Sequence, residues 1–308
     1  MATTKIVTAY APGTVANMVC GFDILGFALH EPADQMTLSL SDKPGIVIAP
    51  DEEYHLPTEP EKNVAGASLI GMMEAWGQPI GFELTMKKMI KPGSGIGSSA
   101  ASSAGAVVAA NHLLGNPFSK EQLVQFAMFG EKVASGVKHA DNIAPCIYGG
   151  VTLVRSILPL DIISLPSPNL FVSIVHPQIE VRTADARAVL KHTIQLKSAI
   201  KQWGNIAGLV AGLMKHDYDL IGRSLEDHII EPVRSILIPG FDDVKKRCKE
   251  AGALGGGISG SGPSIFMLSK QEDTAKQVGA IMADVYTRLG IDYHVYVTTI
   301  NQQGIRLA

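Results

Sequence analysis

The sequence at positions 91–103 reads Lys91-Pro-Gly-Ser-Gly-Ile-Gly-Ser-Ser-Ala-Ala-Ser-Ser103. It lies between an alternating apolar run at 82–90, which predicts a strand, and an alanine-rich run at 100–114, which predicts a helix. Three glycines within five residues remove β-carbons, so a ligand can approach the backbone closely. The helix that follows begins with unpaired N–H groups and a partial positive charge. This order of strand, glycine loop and helix N-terminus predicts an anion site, and phosphate is the anion we expect.

The spacing of the glycines excludes the two commonest phosphate-binding motifs. The P-loop pattern Gly-x-x-x-x-Gly-Lys-[Ser/Thr] fails because Ser98, not glycine, lies five residues after Gly93. The dinucleotide pattern Gly-x-Gly-x-x-Gly fails because these glycines are spaced two and two. A plain strand-to-helix turn with serine caps is the simpler alternative, but such a turn needs only one glycine and one serine. The density of both residue types favours a different kind of phosphate loop.

Composition and charge limit the class of protein. The 308 residues predict two domains, or one large one, with ample core. A net charge of −3 and scattered basic residues indicate neither nucleic acid nor an anionic membrane as a partner. The three cysteines are far apart and form no Cys-x-x-Cys pair, so neither a disulfide framework nor a zinc site is predicted. Without an apolar signal core or a run of 18 apolar residues, we expect a cytoplasmic location.

Three motifs in order carry a resemblance to a known family. The loop at 93–101 is preceded by Ala11-Pro-Gly-Thr-Val-Ala-Asn-Met-Val-Cys-Gly-Phe-Asp-Ile-Leu-Gly26 and followed by Gly255-Gly-Gly-Ile-Ser-Gly-Ser-Gly-Pro-Ser264. Together they resemble the signatures of the GHMP small-molecule kinases, a superfamily that includes galactokinase, mevalonate kinase and homoserine kinase. The first motif and His139-Ala-Asp-Asn-Ile-Ala-Pro145 are most similar to the homoserine kinases. The resemblance spans almost the full length and implies an ATP-dependent phosphotransferase.

The resemblance implies an α+β, two-domain GHMP kinase fold. The expected domains are a ribosomal-protein-S5-domain-2-like, nucleotide-binding domain at 1–165 and a ferredoxin-like α/β sandwich at 166–308. From the residues alone, the mixture of strands and long helices after the proline-containing stretch at 159–169 also favours an α+β sandwich with an antiparallel sheet. Near the N-terminus, the apolar pattern predicts a first strand at 5–10 that enters a turn at Ala11-Pro-Gly, and a hairpin at 35–40 and 46–49.

The family also implies an ATP and Mg²⁺ site. ATP contacts are expected from Lys91, Pro92, Gly93, Ser94, Gly95, Ile96, Gly97, Ser98, Ser99, Ala100, Ala101 and Asn63. The residue pattern at Asn63 favours a helix cap over a contact with ATP. Mg²⁺ is expected on Ser99 and Glu131, because the family places a loop serine and a glutamate in these roles, with Ser98 as the alternative serine. From chemistry alone, Glu131 in an apolar helix is either costly to bury unpaired or lies at a frayed helix end.

Substrate-binding residues follow from the same resemblance. They are Asn17, Asp23, Asn142, Thr183, Arg187, Arg234 and Gly260, and the catalytic set is Asp23, Asn142, Glu131 and Ser99. The simpler interpretations are local Asx turns for Asn17 and Asp23, and surface salt bridges for the arginines. Two arginines fit an amino-acid carboxylate, since a bidentate pair contributes about 1.5–3 kcal/mol. His139 is expected to be structural.

The resemblance therefore implies transfer of the ATP γ-phosphoryl group to L-homoserine, giving O-phospho-L-homoserine in threonine biosynthesis. Phosphoryl transfer has a loose transition state and needs no strong base, so Asp23, the base candidate by location, is assigned to substrate binding. The alternatives are another GHMP kinase, acting on mevalonate, shikimate or a sugar, and a non-catalytic relative that senses a ligand. The family tends to dimerise, so a homodimer is possible.

Overall fold

The computed structural model describes residues 6–181, 183–191 and 193–308, without the side chains of residues 183 and 184. The strands are β1 (Ile6–Ala16), β2 (Leu25–Ser41), β3 (Gly45–Ile48), β4 (Gly81–Lys87), β5 (Val151–Ile157), β6 (Leu160–Leu165), β7 (Phe171–Pro177), β8 (Gly255–Ile258), β9 (Ile265–Ser269), β10 (Tyr293–Thr299) and β11 (Arg306–Leu307). The helices are α1 (Val64–Trp76), α2 (Ser98–Leu113), α3 (Lys120–Ser135), α4 (Ile143–Tyr148), α5 (Thr183–Ala188), α6 (Leu196–Lys215), α7 (Tyr218–Ser224), α8 (Glu231–Arg234), α9 (Phe241–Glu250) and α10 (Glu272–Leu289). Within these ranges no helix is long and apolar enough to cross a membrane.

The first sheet has seven strands and is built around β2. Its main order is β11-β1-β2-β4-β3, while β5 pairs with β2 and with β6. The 17-residue β2 pairs with β5 through its first residues and with β4 through its last, so one strand joins two parts of the sheet. The alanine-rich α2 packs on β1 and β2. A β-carbon at Gly105 would lie 2.6 Å from the side chain of Met36, so small residues allow this close approach.

The second sheet confirms the ferredoxin-like expectation. Its four strands are antiparallel in the order β10-β7-β9-β8. Along the chain they run β7, α9, β8, β9, α10, β10, which is the β-α-β-β-α-β pattern of that fold, with α5–α8 inserted in the first crossover. Helices α9 and α10 pack on the sheet around a core that includes Val244, Met282 and Tyr286.

Two expectations for the N-terminal strands are wrong. β1 does not end at Ala11-Pro-Gly but continues to Ala16, with an irregularity in the register between Pro12 and Thr14. β2 and β3 do not form a hairpin, because β4 lies between them, antiparallel to β2 and parallel to β3. β4 thus has a partner on each edge, and from Phe82 onward it buries every second side chain on one face.

The end of the chain returns to the first sheet. β11 pairs with β1, and an isolated bridge joins Leu29 of β2 to Ile300. The boundary between residues 165 and 166 stays a prediction. It falls between β6, which belongs to the first sheet, and β7, which belongs to the second.

Candidate active site

A cavity of about 320 Å³ lies where the phosphate loop, the loop between β1 and β2, and helices α3, α5 and α8 converge. The structure brings most of the expected site residues into its wall: Asn17, Asp23, Pro92, Gly93, Gly95, Gly97, Ser98, Ser99, Glu131, Asn142, Arg187, Arg234 and Gly260. Other expected ATP contacts are not among the lining residues: Asn63, Lys91, Ser94, Ile96, Ala100 and Ala101. The side chain of Thr183 lies outside the described residues.

Asn63 and Lys91 make contacts outside the cavity wall. The amide oxygen of Asn63 accepts from the backbone N–H groups of Ala65 and Gly66 and caps α1, as the residue pattern predicts. Its amide nitrogen donates to the carbonyl oxygen of Pro57. The ammonium group of Lys91 donates to Gln178 at the end of β7. Their assignment to ATP stays a prediction.

The backbone of the phosphate loop is shaped for an anion. Gly93, Gly95 and Gly97 all have left-handed φ values, of 77°, 82° and 73°. Helix α2 begins directly after Gly97, and no side chain caps its N-terminus. The first N–H groups of α2 therefore have no carbonyl within the helix and no capping side chain, which is the arrangement that binds phosphate.

The second glycine-rich loop, residues 255–264, holds the phosphate loop in place. The hydroxyl of Ser259 donates to the carbonyl oxygen of Gly95 at 2.8 Å, and that of Ser264 donates to the carbonyl oxygen of Ser94 at 2.6 Å. A β-carbon at Gly95 would lie only 2.5 Å from the carbonyl oxygen of Gly262. The two loops are therefore packed backbone to backbone.

Gly93 and Gly95 provide a matched test of this packing. Both have left-handed φ values, but a β-carbon at Gly93 would have no atom of the described residues within 4 Å beyond those of its chain neighbours. We expect Gly93→Ala to lower the free energy of unfolding by about 1–2 kcal/mol, the cost of the left-handed conformation. Gly95→Ala should cost about 1–3 kcal/mol more because its methyl group overlaps the second loop. Thermal unfolding of both variants measures the difference, and equal melting temperatures would contradict the close packing.

A buried ion pair contacts the first turn of α2. The ammonium group of Lys88 contacts the carboxylate of Asp34 and donates to the carbonyl oxygen of Ser98 at 3.1 Å and to the hydroxyl of Ser102 at 2.8 Å. Asp34 also accepts from the backbone N–H groups of Met89 and Ile90. Burial lowers the pKa of Lys88, and the charge of Asp34 opposes that shift. The pair fixes the first residue of α2 against β2.

Ser99 and Glu131 form a pair of oxygen ligands in the cavity wall. The hydroxyl of Ser99 donates to the carboxylate of Glu131 at 2.9 Å. Burial raises the pKa of Glu131, and hydrogen bonds from Ser99 and Ser135 oppose this. No group of three or more His, Cys, Asp or Glu side chains suited to a metal occurs among the described residues. One hydroxyl and one carboxylate still fit Mg²⁺, which completes its shell with phosphate oxygens and water.

The loop between β1 and β2 holds Asn17 and Asp23 in strained conformations. Their φ values are 73° and 61°, in the left-handed region that non-glycine residues rarely adopt. The side chain of Asn17 closes the loop, because it accepts from the backbone N–H of Asp23 at 3.0 Å. It also donates to the carbonyl oxygen of Gly260 at 2.8 Å, which joins this loop to the second glycine loop. Such strain persists where contacts over-determine the backbone, and it is common at functional sites.

Two arginines enter the cavity from α5 and α8. Arg187 donates to both carboxylate oxygens of Asp23, at 3.0 and 3.2 Å, and contacts Nδ1 of His139 at 2.8 Å. Arg234 is only 3% exposed and donates to the carbonyl oxygens of Ala186, at 2.8 Å, and Gly260, at 3.2 Å. Burial lowers the pKa of Arg234 to about 10, and the positive charge of Arg187 adds to the shift.

The segment before α4 contributes three neighbouring side chains. Asn142 uses its amide oxygen to accept from the hydroxyl of Thr14 at 2.8 Å, so its amide nitrogen is the group that could donate to a substrate oxygen. Asp141 is buried, and this burial raises its pKa to about 7, with the charges of Asp23 and Glu131 adding to the effect. His139 contacts Ser135 at 3.0 Å as well as Arg187. His139 also lines the cavity, and its structural role stays a prediction.

Sequence reasoning did not assign nine other residues of the wall to the site: Phe22, Leu56, Val64, Lys88, Ser102, Ala134, His139, Asp141 and Ser261. Lys88 had a usable signal, since it continues the alternation of buried positions in β4. Phe22 and Asp141 stand next to expected site residues, Asp23 and Asn142, and adjacency alone does not tell which neighbour faces a cavity.

Comparisons with known proteins show the family of the chain. The family models described as GHMP kinases N terminal domain and GHMP kinases C terminal match residues 63–150 and 209–288. A homoserine kinase of Chloroherpeton thalassium is 45% identical over 98% of this chain and 99% of its own length. The crystal structure of homoserine kinase from Cytophaga hutchinsonii is 50% identical, has a TM-score of 0.95, and covers 100% of this chain and 99% of its own.

A more distant structure shares the fold alone. The crystal structure of L. major mevalonate kinase in complex with R-mevalonate is 16% identical, with a TM-score of 0.70 over 99% of this chain and 97% of its own. The expected family and fold are thus confirmed. The chain belongs to the GHMP kinases, which are ATP-dependent enzymes that phosphorylate a hydroxyl group, and within them to the homoserine kinases.

Proposed function

We propose that this kinase transfers the γ-phosphoryl group of ATP to the side-chain hydroxyl of L-homoserine and releases O-phospho-L-homoserine, the product that serves threonine biosynthesis. The ion pair between Asp23 and Arg187 is the observation that carries the choice of substrate. It places one negative and one positive group side by side in the cavity wall. An amino acid is a zwitterion, so its ammonium and carboxylate groups can replace this pair charge for charge.

The same pair disfavours other substrate classes. The carboxylate of a hydroxy acid that lacks an amine would bind Arg187 in place of Asp23. The half-buried carboxylate of Asp23 would then have no positively charged partner. A sugar would offer no group of either charge. A half-buried charge is more stable with a partner of opposite charge than without one, so the wall favours the zwitterion.

The positions of the remaining residues support a role for each of them in this reaction. The phosphates of ATP bind at the phosphate loop and the N-terminus of α2, where the first N–H groups have no partner in the helix. Asn142 donates to the hydroxyl that is phosphorylated, and Arg234 with Arg187 holds the carboxylate. Ser99 and Glu131 hold Mg²⁺, which neutralises phosphate charge when it is bound. Positioning and charge supply the catalysis, so no side chain has to act as a strong base.

A substrate panel tests this function. We expect ADP release with Mg²⁺–ATP and L-homoserine, and little with L-serine, L-threonine, mevalonate, shikimate or galactose. 4-Hydroxybutanoate is the sharpest comparison because it keeps the hydroxyl and carboxylate of homoserine but lacks the ammonium group. Its kcat/KM should be lower by about 30-fold or more, equivalent to about 2 kcal/mol.

The outcomes separate the rival functions. Turnover of mevalonate, shikimate or galactose in preference to L-homoserine would support kinase activity but overturn the proposed substrate. Binding of ATP without turnover of any compound would favour a ligand sensor. Equal kcat/KM for 4-hydroxybutanoate and L-homoserine would show that Asp23 does not recognise an ammonium group. The homodimer and the cytoplasmic location stay predictions.

A further inference from the structure

The ring of Phe22 lies against both guanidinium groups of the substrate site. Its centroid is 4.9 Å from Cζ of Arg234 and 5.8 Å from Cζ of Arg187. Both distances are within the range of a cation–π contact. Phe22, Arg187 and Arg234 all line the cavity, so the ring contacts the arginines on the wall of the proposed substrate site.

The two arginines differ in their other partners. Arg187 has a carboxylate beside it, that of Asp23. Arg234 donates to two carbonyl oxygens, which are neutral, while it is buried and close enough to Arg187 for the two charges to repel. A carboxylate next to Arg234 would stabilise it but would compete with the substrate for its N–H groups. An aromatic face stabilises a cation without a charge that competes with the substrate.

A carboxylate that could compete for Arg234 lines a second cavity with Phe22. Phe22, Arg234 and Glu231 share the wall of a second, very small cavity of about 10 Å³. Glu231 pairs with Lys245 through one carboxylate oxygen, and its other oxygen, Oε2, is buried without a hydrogen-bond partner among the described residues. An arginine that turned toward Oε2 would satisfy that oxygen and leave the substrate site.

The backbone of the loop is constrained on both sides of Phe22. Gly21 has no room for a side chain, because a β-carbon there would lie 2.5 Å from the side chain of Leu25. On the other side, the backbone N–H of Asp23 donates to Asn17. The backbone on both sides of Phe22 is thus determined by packing and by a hydrogen bond.

From these contacts we infer that Phe22 is a positioning residue for the substrate carboxylate. Its ring keeps Arg234 directed into the cavity beside Arg187 and away from Glu231. This inference rests on the proposed function, because it requires the two arginines to bind a carboxylate.

Phe22→Leu and Phe22→Tyr test the role of the ring. Leucine stays apolar but has no aromatic face, and we expect it to raise the KM for L-homoserine about tenfold and to leave the KM for ATP within about twofold. Tenfold corresponds to about 1.4 kcal/mol, which lies within the range of cation–π contacts. Tyrosine keeps the face and should recover most of the loss. Phe118→Leu is the matched control, since Phe118 is also half-buried but packs against Trp76 and Phe126 outside the cavity.

A second variant tests the competition with Glu231. If Arg234 turns toward that carboxylate in Phe22→Leu, adding Glu231→Gln should lower the KM for L-homoserine again. The inference is overturned if Phe22→Leu leaves this KM unchanged, or if it raises the KM values for both substrates as a general disturbance would. It is also overturned if tyrosine is as poor as leucine. Failure of the unaltered enzyme to phosphorylate L-homoserine would instead overturn the proposed function, and the inference with it.

Discussion

Replacing Glu131 by glutamine is expected to lower kcat about 100- to 1,000-fold. Glutamine preserves the size of the side chain and can still accept the hydrogen bond from Ser99. It removes the negative charge of the proposed Mg²⁺ ligand. The weaker stabilisation of charge in the transition state should raise the activation free energy by about 3–4 kcal/mol. Initial rates at several Mg²⁺ concentrations measure the effect. The variant should also need more Mg²⁺ for half of its own maximal rate, since the affinity for the ion falls.

Glu121→Gln is the matched control for this prediction. Glu121 lies in the first turn of the same helix, α3, on its exposed surface. The same loss of one charge on the same helix should leave kcat and the Mg²⁺ dependence unchanged. An unchanged kcat in Glu131→Gln would end the assignment of Glu131 as a metal ligand and leave it as the hydrogen-bond partner of Ser99.

Much of the site could be predicted from the sequence because its motifs are local. The phosphate loop needs glycines at left-handed φ values and a helix directly after them, and both requirements are visible in a short stretch of residues. The helix cap at Asn63 is local in the same way. The roles of Ser99 and Glu131 came from family resemblance, since 32 residues separate them and only the packing of α2 against α3 brings them together.

The buried pair of Lys88 and Asp34 shows a signal that went unused. In β4, the buried positions are Phe82, Leu84 and Met86, so position 88 continues the series. Asp34 likewise precedes the buried Met36 in the alternation of β2. A charged residue at a buried position requires a partner, and two such positions on neighbouring strands predict one another.

Other features could not be predicted because they depend on tertiary contacts. The structure places β4 between β2 and β3, and short apolar runs in a sequence do not reveal which strands pair. Asn17 and Asp23 have left-handed φ values, and Asn17 joins them to a distant part of the chain. Its side chain donates to Gly260, more than 230 residues away, and accepts from the backbone N–H of Asp23. Phe22 lies in the same loop between β1 and β2, so its contacts with the two arginines also depend on tertiary structure.

Replacing Arg234 by methionine is expected to raise the KM for L-homoserine at least about 30-fold. Methionine has a comparable length and tolerates a buried position, so the change mainly removes the guanidinium group. Removing one partner of a buried charge pair costs about 2–5 kcal/mol, or about 30- to 4,000-fold in affinity. The KM for ATP should change little because the contacts of Arg234 are with Ala186, Gly260 and Phe22, outside the phosphate loop. Steady-state kinetics with each substrate varied in turn separate the two values.

A change of substrate distinguishes a lost carboxylate contact from general damage to the site. L-Homoserine amide keeps the hydroxyl and amine of the substrate but has no carboxylate, so the unaltered enzyme should strongly prefer L-homoserine. Arg234→Met should lose most of that preference, because the group that binds the carboxylate is absent. General damage to the site would lower kcat/KM for both compounds and leave their ratio unchanged. Arg247→Met removes an arginine from a network with Asp243 and Asp284 on α9 and α10 and should leave the ratio unchanged. A preference in Arg234→Met equal to that of the unaltered enzyme would place the carboxylate elsewhere in the cavity.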